Sequence, residues 1–408
     1  MARIFYGWWV VLACFLSGFL VGGGLSFGFT AFFEPIVQEF RWSYTQVSIA
    51  FSLRGLEMGI LAPIMGFLVD RFGSRKLAFS GVVIVGFSLI LLSQTNSLVM
   101  FYGSFILLTL GRSGCTSTVL MTAVAHWFRK NVGKAMGIVA CGFGAGGILI
   151  PLIVWLIDVH GWRTTLMILG LGVWMLGIPF SLIIRHRPEP YGLLPDGEIP
   201  TGAISGHGGE RIEEATLKEA LKNQNFWKIG VADAMRVMTS MAVITHIMPY
   251  LSSIGMSRSR AAFVATSIPL LSIVGRVGFG WLSDIFDKRY VLAMVYCLFG
   301  MGTLAFSYLH CKWPLFPFFF LLPPAWGGVV SLRGALVREY FGAASFGRLL
   351  GIILGMAAMG GIIGPSAAGW AFDRWGSYHP VWLFFTGTIV IAMILTVRLN
   401  PPQQMNEK

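Results

Sequence analysis

Five arginines fall inside stretches that are otherwise apolar: Arg54, Arg112, Arg236, Arg276 and Arg333. An ionised side chain in hydrocarbon is costly unless it faces a cavity or a partner, so each position asks for an anion. Two have one at helical spacing. Glu57 lies three residues after Arg54, and Asp233 three before Arg236, close enough on one helical face to form internal pairs. Arg276, in Ser272-Ile273-Val274-Gly275-Arg276-Val277-Gly278-Phe279-Gly280, has no carboxylate at that spacing. Its partner must come from elsewhere, and a planar guanidinium takes a carboxylate through two parallel hydrogen bonds. Arg112 either lines the same cavity as a second cation or pairs with Glu57 across neighbouring helices. Arg333 sits nearer a helix end, where a long side chain can snorkel.

His246, in Thr245-His246-Ile247-Met248-Pro249-Tyr250, either donates to a bound carboxylate and titrates near neutral pH or is a packing residue. Five cysteines, Cys14, Cys115, Cys141, Cys297 and Cys311, show no metal-like spacing and read as small packing residues. No Walker loop, HExxH, GxSxG or carboxylate pair stands in a polar domain able to use it, so no enzyme, cofactor or metal site is expected.

The elements that must hold these groups are membrane helices. The 408 residues are 55% apolar and 12% charged, with a mean hydropathy of +0.73, well outside soluble averages. About twelve stretches approach the length needed to span hydrocarbon: 7–31, 44–68, 77–97, 99–125, 134–158 and 163–185, then 225–252, 259–283, 291–310, 314–338, 347–371 and 378–398. The first is too long for a signal peptide and is expected to remain as a helix.

The two sets of six are copies. Gly66, Asp70, Phe72 and Arg75 recur 214 residues later as Gly280, Asp284, Phe286 and Arg289. Gly133, Gly137, Gly146, Gly147 and Pro151 recur as Gly347, Gly351, Gly360, Gly361 and Pro365, and Pro35 as Pro249. The expected organisation is a six-helix bundle over 1–185, a linker with a short surface helix over 186–224, a second bundle over 225–400 and a tail over 401–408. Two repeated bundles around a midplane site are an architecture of secondary transport.

Lys and Arg crowd one side of the spans, leaving Arg41, Arg163, Arg258, Arg260, Lys312 and Arg374 on the other, which puts both termini in the cytoplasm. The net charge of +12 then suits anionic lipid headgroups and needs no nucleic acid.

The loop Gly66-Phe67-Leu68-Val69-Asp70-Arg71-Phe72-Gly73-Ser74-Arg75-Lys76 resembles the signature loop of the major facilitator superfamily. Its physics is a gate: Asp70, Arg71 and Arg75, with Asp284 and Arg289 in the copy, latch cytoplasmic helix ends through ion pairs and helix dipoles. Tyr6-Gly7-Trp8-Trp9-Val10-Val11, and His126-Trp127-Phe128-Arg129-Lys130 followed by Gly133, Gly137, Gly142, Gly144, Gly146 and Gly147, are similar to motifs of its monocarboxylate transporter family. Glycines at three- and four-residue steps let backbones approach closely. The resemblance also takes in oxalate and formate exchangers, and runs from the first helix to the last.

That resemblance implies an all-α fold of twelve membrane helices in two pseudo-symmetric bundles, in a bacterial inner membrane, moving a small monocarboxylate such as lactate or pyruvate with a proton. An arginine at the place of Arg276 binds the carboxylate in these families; here Arg276 is expected to hold it, with Ser272 and His246 nearby and Phe27, Thr116, Cys141 and Met248 as candidate walls. Glu57, Asp233 and His246 are the proton-coupling candidates, in no order. Two departures bear on mechanism: Ser272 stands where animal relatives have an aspartate, and neither Gly22-Gly23-Gly24 nor Leu354-Gly355-Met356-Ala357-Ala358 supplies the second cation found there in relatives. Anion exchange, or an anion receptor built on a transporter frame, are the alternatives.

Overall fold

In this computed structural model the described residues are 5–128, 131–194, 221–309, 315–341 and 346–400; the side chains of 56–58, 62, 63, 338 and 346–348 are not among them. The described residues include twelve long helices: α1 (Tyr6–Phe40), α2 (44–72), α3 (Ser74–Ser93), α4 (Leu98–Trp127), α5 (132–160), α6 (162–183), α7 (Gln224–Ser253), α8 (Arg258–Ile285), α9 (Lys288–Ser307), α10 (Leu315–Phe341), α11 (Phe346–Trp375) and α12 (His379–Val397). Among the described residues there is no strand. Nine stretches of the described residues are long and apolar enough to cross a membrane, and one of them, Val132–Ile183, is α5 and α6 joined at Gly161 (φ 78°, ψ 162°). The other two helices are α2, interrupted at Leu53, and α7, which carries Lys228, Asp233 and Arg236 in its first half. The linker helix expected before residue 221 and the tail over 401–408 lie outside the described residues.

The helices form two compact units, Met1–Ile36 with Ile60–Gly208, and Val37–Gly59 with Gly209–Lys408. In the first unit, α1 is irregular. A π-helical turn over Gly18–Gly24 and a 3-10 turn over Phe29–Phe32 interrupt it. The reason is close approach of α5: a Cβ on Gly146 would lie 2.5 Å from Gly24 N and from Phe19 O and 2.6 Å from Gly23 Cα, closer than side-chain atoms can come. The glycine steps of the sequence are thus a backbone-to-backbone seam.

The aromatic motifs meet in the same unit. Trp127 lies 5.3 Å from Tyr6, and Trp8 5.0 Å from Phe128, between ring centroids. Both pairs sit over a core that includes Val10, Val11, Leu120, Val124, Val139 and Ile184. The chain leaving α6 is tied to this cluster: Trp127 Nε1 donates to Arg185 O (2.9 Å), Tyr6 Oη to Ile183 O (3.0 Å), and the Arg185 guanidinium is sandwiched by Tyr6 and Tyr191 at 4.1 and 3.8 Å. Cation–π stacking of this kind contributes about 0.5–2 kcal/mol, so the start of the linker is pinned to the mouths of α1 and α4.

The second unit repeats the glycine seam. Gly360, the copy of Gly146, would drive a Cβ into Ala234 O, and Gly364 into Met238 O, joining α11 to α7 as α5 joins α1. Gly275 abuts Pro324 and Gly327 abuts Ser272 O, which locks α8 against α10. The first half of α2 belongs here because α11 caps it: Asp373 accepts from Tyr44 N (2.9 Å), Thr45 N (2.7 Å) and Thr45 Oγ1, while Ser43 and Gln46 close a capping box on the same turn. Two turns deeper, Ser52 and Ser366 hydroxyls meet at 2.9 Å.

Candidate functional site

Depth places the charged groups of the second unit together. Asp233 lies nine residues after the start of α7, Arg276 nine before the end of α8 and Arg333 eight before the end of α10. At 1.5 Å per residue all three sit about 12–14 Å from the same end of the bundle. Arg276 is half-buried and already interacts with neighbouring groups, so an incoming anion must exchange with them. Its segment is held rigidly, because Gly327 lets α10 press against Ser272 O and Ser331 Oγ donates to Arg276 O (3.1 Å). Ser272 is buried and gives its hydroxyl to Pro269 O (2.7 Å) on its own helix.

Asp233 is buried and stands at the centre of a triad. Arg236 donates Nε (2.9 Å) and Nη2 (2.8 Å) to Oδ1, as the spacing implies. Arg333 does not merely snorkel: its Nη1 reaches Asp233 Oδ2 at 2.9 Å. Sequence spacing could not show this pair, since 100 residues separate its members. The Glu57 side chain lies outside the described residues.

His246 is fully buried among polar partners. Its Nε2 lies 2.9 Å from Pro365 O and 3.0 Å from Ser48 Oγ, and its Nδ1 2.9 Å from Tyr378 Oη. Ser48 Oγ donates to Tyr44 O (2.6 Å) and the proline carbonyl can only accept, so the network places a proton on Nε2. Here His246 joins α2, α7, α11 and the start of α12. Met248, two residues on, is buried.

The remaining cavity candidates belong to the first unit. Arg112 Nη2 donates to Ser26 Oγ (2.8 Å), bringing α4 to the irregular part of α1 where Phe27 is half-buried. Thr116, at a break in α4, bonds Ser113 O (3.0 Å), and Cys141 is half-buried on α5. So Arg112, Phe27, Thr116 and Cys141 are positioned by one unit, and Arg276, Ser272, His246 and Met248 by the other.

The signature loop turns at Gly73, whose φ of 81° is the left-handed region that favours glycine. Asp70, Arg71 and Arg75 are exposed there. Gly73 supplies no side-chain cap to α3, and His186 takes that role: its Nδ1 accepts from Ser74 N at 3.3 Å. Burial, then the nearby His126 and Arg187, hold His186 below the ordinary histidine range, against Asp70 and Glu189. In the copy, Asp284 is exposed, and Arg289 donates Nη1 to Leu399 O (2.7 Å). The sequence reading missed His186, Tyr378 and Asp373. A signal for the last existed: Asp158 and Gly161 recur 215 residues later as Asp373 and Gly376, both glycines at positive φ (78° and 62°).

Comparison with known proteins agrees with this architecture. A family model described as Major Facilitator Superfamily matches residues 14–322 and 235–408. Monocarboxylate transporter 12 of Xenopus laevis is 26% identical over 96% of this chain and 88% of its own length. Monocarboxylate transporter 13 of Bos taurus is 24% identical over 91% and 84%, and an uncharacterised MFS-type transporter of Bacillus subtilis (strain 168), YcxA, is 24% identical over 91% and 90%. Among solved structures, a bacterial homologue of the human lysosomal transporter Spinster, inward-facing and unoccupied, superposes with a TM-score of 0.72 at 16% identity, covering 97% of this chain and 95% of the other. A point mutant of the nucleoside transporter NupG superposes with a TM-score of 0.75 at 11% identity over 95% and 98%.

Proposed function

Since this chain belongs to the major facilitator superfamily, whose members are transporters rather than enzymes, we propose that it carries a small monocarboxylate such as lactate or pyruvate together with a proton, with Arg276 holding the carboxylate. The observation that carries the reading is Arg276 itself. It is an arginine about 13 Å inside a membrane bundle, on a segment clamped by Gly327 and Ser331, at the position where similar families bind a carboxylate. The names of the monocarboxylate transporter relatives point the same way.

The mechanism follows from charge. A cation resists passage through a dry intermediate, and a carboxylate beside it lowers that cost, so reorientation is favoured once substrate has exchanged onto Arg276. Phe27, Thr116, Cys141 and Met248 would shape the path, and Asp70, Arg71, Arg75, Asp284 and Arg289 would gate the cytoplasmic side. Glu57, Asp233 and His246 remain the candidates for the proton. We place the carrier in a bacterial cell membrane, and the bias of Lys and Arg supports both termini in the cytoplasm.

One feature favours a second reading, exchange of one anion for another: Ser272 stands where animal relatives carry the aspartate beside this arginine. Proteoliposomes empty of internal anion separate the two. Under an inward proton gradient a symporter accumulates labelled lactate, whereas an exchanger accumulates none until a counter-anion is loaded inside.

A further inference from the structure

The triad in the second unit has more positive than negative charge. Among the described residues, one carboxylate, Asp233, is recorded against both the Arg236 and Arg333 guanidiniums. Its side chain is 2% exposed and that of Arg236 5%, whereas that of Arg333 is 17% exposed, so bulk water relieves the surplus charge only in part and only at Arg333. A second carboxylate would balance the set, giving two anions to two guanidiniums.

The two arginines are not equivalent. Arg236 sits one turn from Asp233 on the same helix and spends two N–H groups on Oδ1. Arg333 comes from another helix, gives Oδ2 a single N–H, is 17% exposed, and has a buried Nε with no hydrogen-bond partner. A planar fork that uses one of its donors has the others left for a bidentate acceptor. Arg333 is therefore the detachable member, and the more exposed one. Ser331, two residues before it, is bonded to the backbone of Arg276, so both arginines stand at one depth on adjoining helices.

We propose that Arg333 is a second substrate-binding arginine and that Asp233 is its resident counter-ion, which the substrate carboxylate displaces. This rests on the reading of the chain as a monocarboxylate carrier and adds a residue to it. In the empty protein Asp233 occupies Arg333. As substrate arrives, its carboxylate, held by Arg276, also takes the Arg333 fork, and Asp233 stays with Arg236. The same exchange breaks the Asp233–Arg333 bridge between α7 and α10, so occupancy is read out as freedom of α10 relative to α7. Asp233 thus weakens binding and speeds release.

A displaced competitor makes an unusual demand: removing it must tighten binding. The test is initial-rate uptake of labelled lactate, with equilibrium binding alongside, in proteoliposomes. Asp233→Asn is expected to lower KM about tenfold and slow turnover, because Arg333 no longer has a rival acceptor. Asp233→Asn with Arg236→Gln, which removes one cation with the anion, should also lower KM, and Arg333→Gln should raise it by about the same factor. A structural brace would not yield tighter binding on truncation. Unchanged or raised KM in the two Asp233 variants overturns the proposal. If neither variant folds, Arg333→Gln decides alone, and an unchanged KM overturns it. Absence of any carboxylate uptake by the wild type removes the carrier reading as well. Wild-type uptake that depends on Arg276 but not on the Asp233 or Arg333 variants removes this inference only.

Discussion

Two glycines on one helix give a controlled test of how the bundles are held. Gly360 and Gly355 both lie on α11. A Cβ at Gly360 would collide with Ala234 O and lie 3.1 Å from Met238 N, whereas one at Gly355 would meet nothing within 4 Å. Carbon and carbonyl oxygen rest at roughly 3.3–3.6 Å, so Gly360→Ala must push α11 off α7 by about 1 Å. Overpacking of this size costs about 1–3 kcal/mol. Gly355→Ala adds no clash and removes a flexible residue from a helix, a gain of about 0.5–1 kcal/mol. Thermal unfolding of the purified protein, followed by tryptophan fluorescence, should rank Gly355→Ala at or above wild type and Gly360→Ala clearly below it. Its copy Gly146, with Gly137 as the open control, should give the same ordering in the first unit. Equal Tm values for Gly360→Ala and Gly355→Ala would refute the backbone-seam reasoning.

Other consequences follow from single residues. Asp373→Asn removes the anionic acceptor for the first turn of α2 and should cost about 1–2 kcal/mol; a Tm equal to wild type would mean that Ser43 and Gln46 suffice as caps. His186 is held below the ordinary histidine range, so the folded protein binds fewer protons there than the unfolded chain, and stability should fall as pH drops through about 6.5 and stay flat above it. His186→Asn keeps an acceptor for Ser74 N without titrating and should flatten that acid limb; an undiminished loss between about pH 7.5 and 5.5 in the variant would remove the assignment. His246→Ala should lower Tm by opening the bonds to Pro365, Ser48 and Tyr378, at a cost of about 1–3 kcal/mol for the stranded partners, and Tm unchanged in the variant would show that water replaces them.

What could be read from the sequence was punctuation. The copy at 214 residues and the twelve helices follow from patterns along the chain, and the Arg236–Asp233 pair from spacing along one helix. Pairing between helices did not. In lipid the faces that meet a neighbour and the faces that meet acyl chains are both apolar, so no amphipathic stripe announces which side of α10 carries Arg333 toward Asp233. Small residues are the remaining marker, and they worked only in part: Gly142 and Gly146 form seams while Gly133 and Gly137 face nothing within 4 Å. Contacts such as Asp373 with Thr45, 328 residues apart, depend on how α2 and α11 settle against each other, which local periodicity does not encode. His246 illustrates the limit most clearly, for its partners Ser48, Pro365 and Tyr378 come from α2, α11 and the start of α12, and no spacing around it announces them.

The central claim is that the Arg276 guanidinium holds the transported carboxylate. Initial-rate uptake of labelled lactate by proteoliposomes should be abolished in Arg276→Ala and reduced to a small residue in Arg276→Lys, where charge persists but the planar fork is gone. Uptake by folded Arg276→Ala at the wild-type rate would contradict the account.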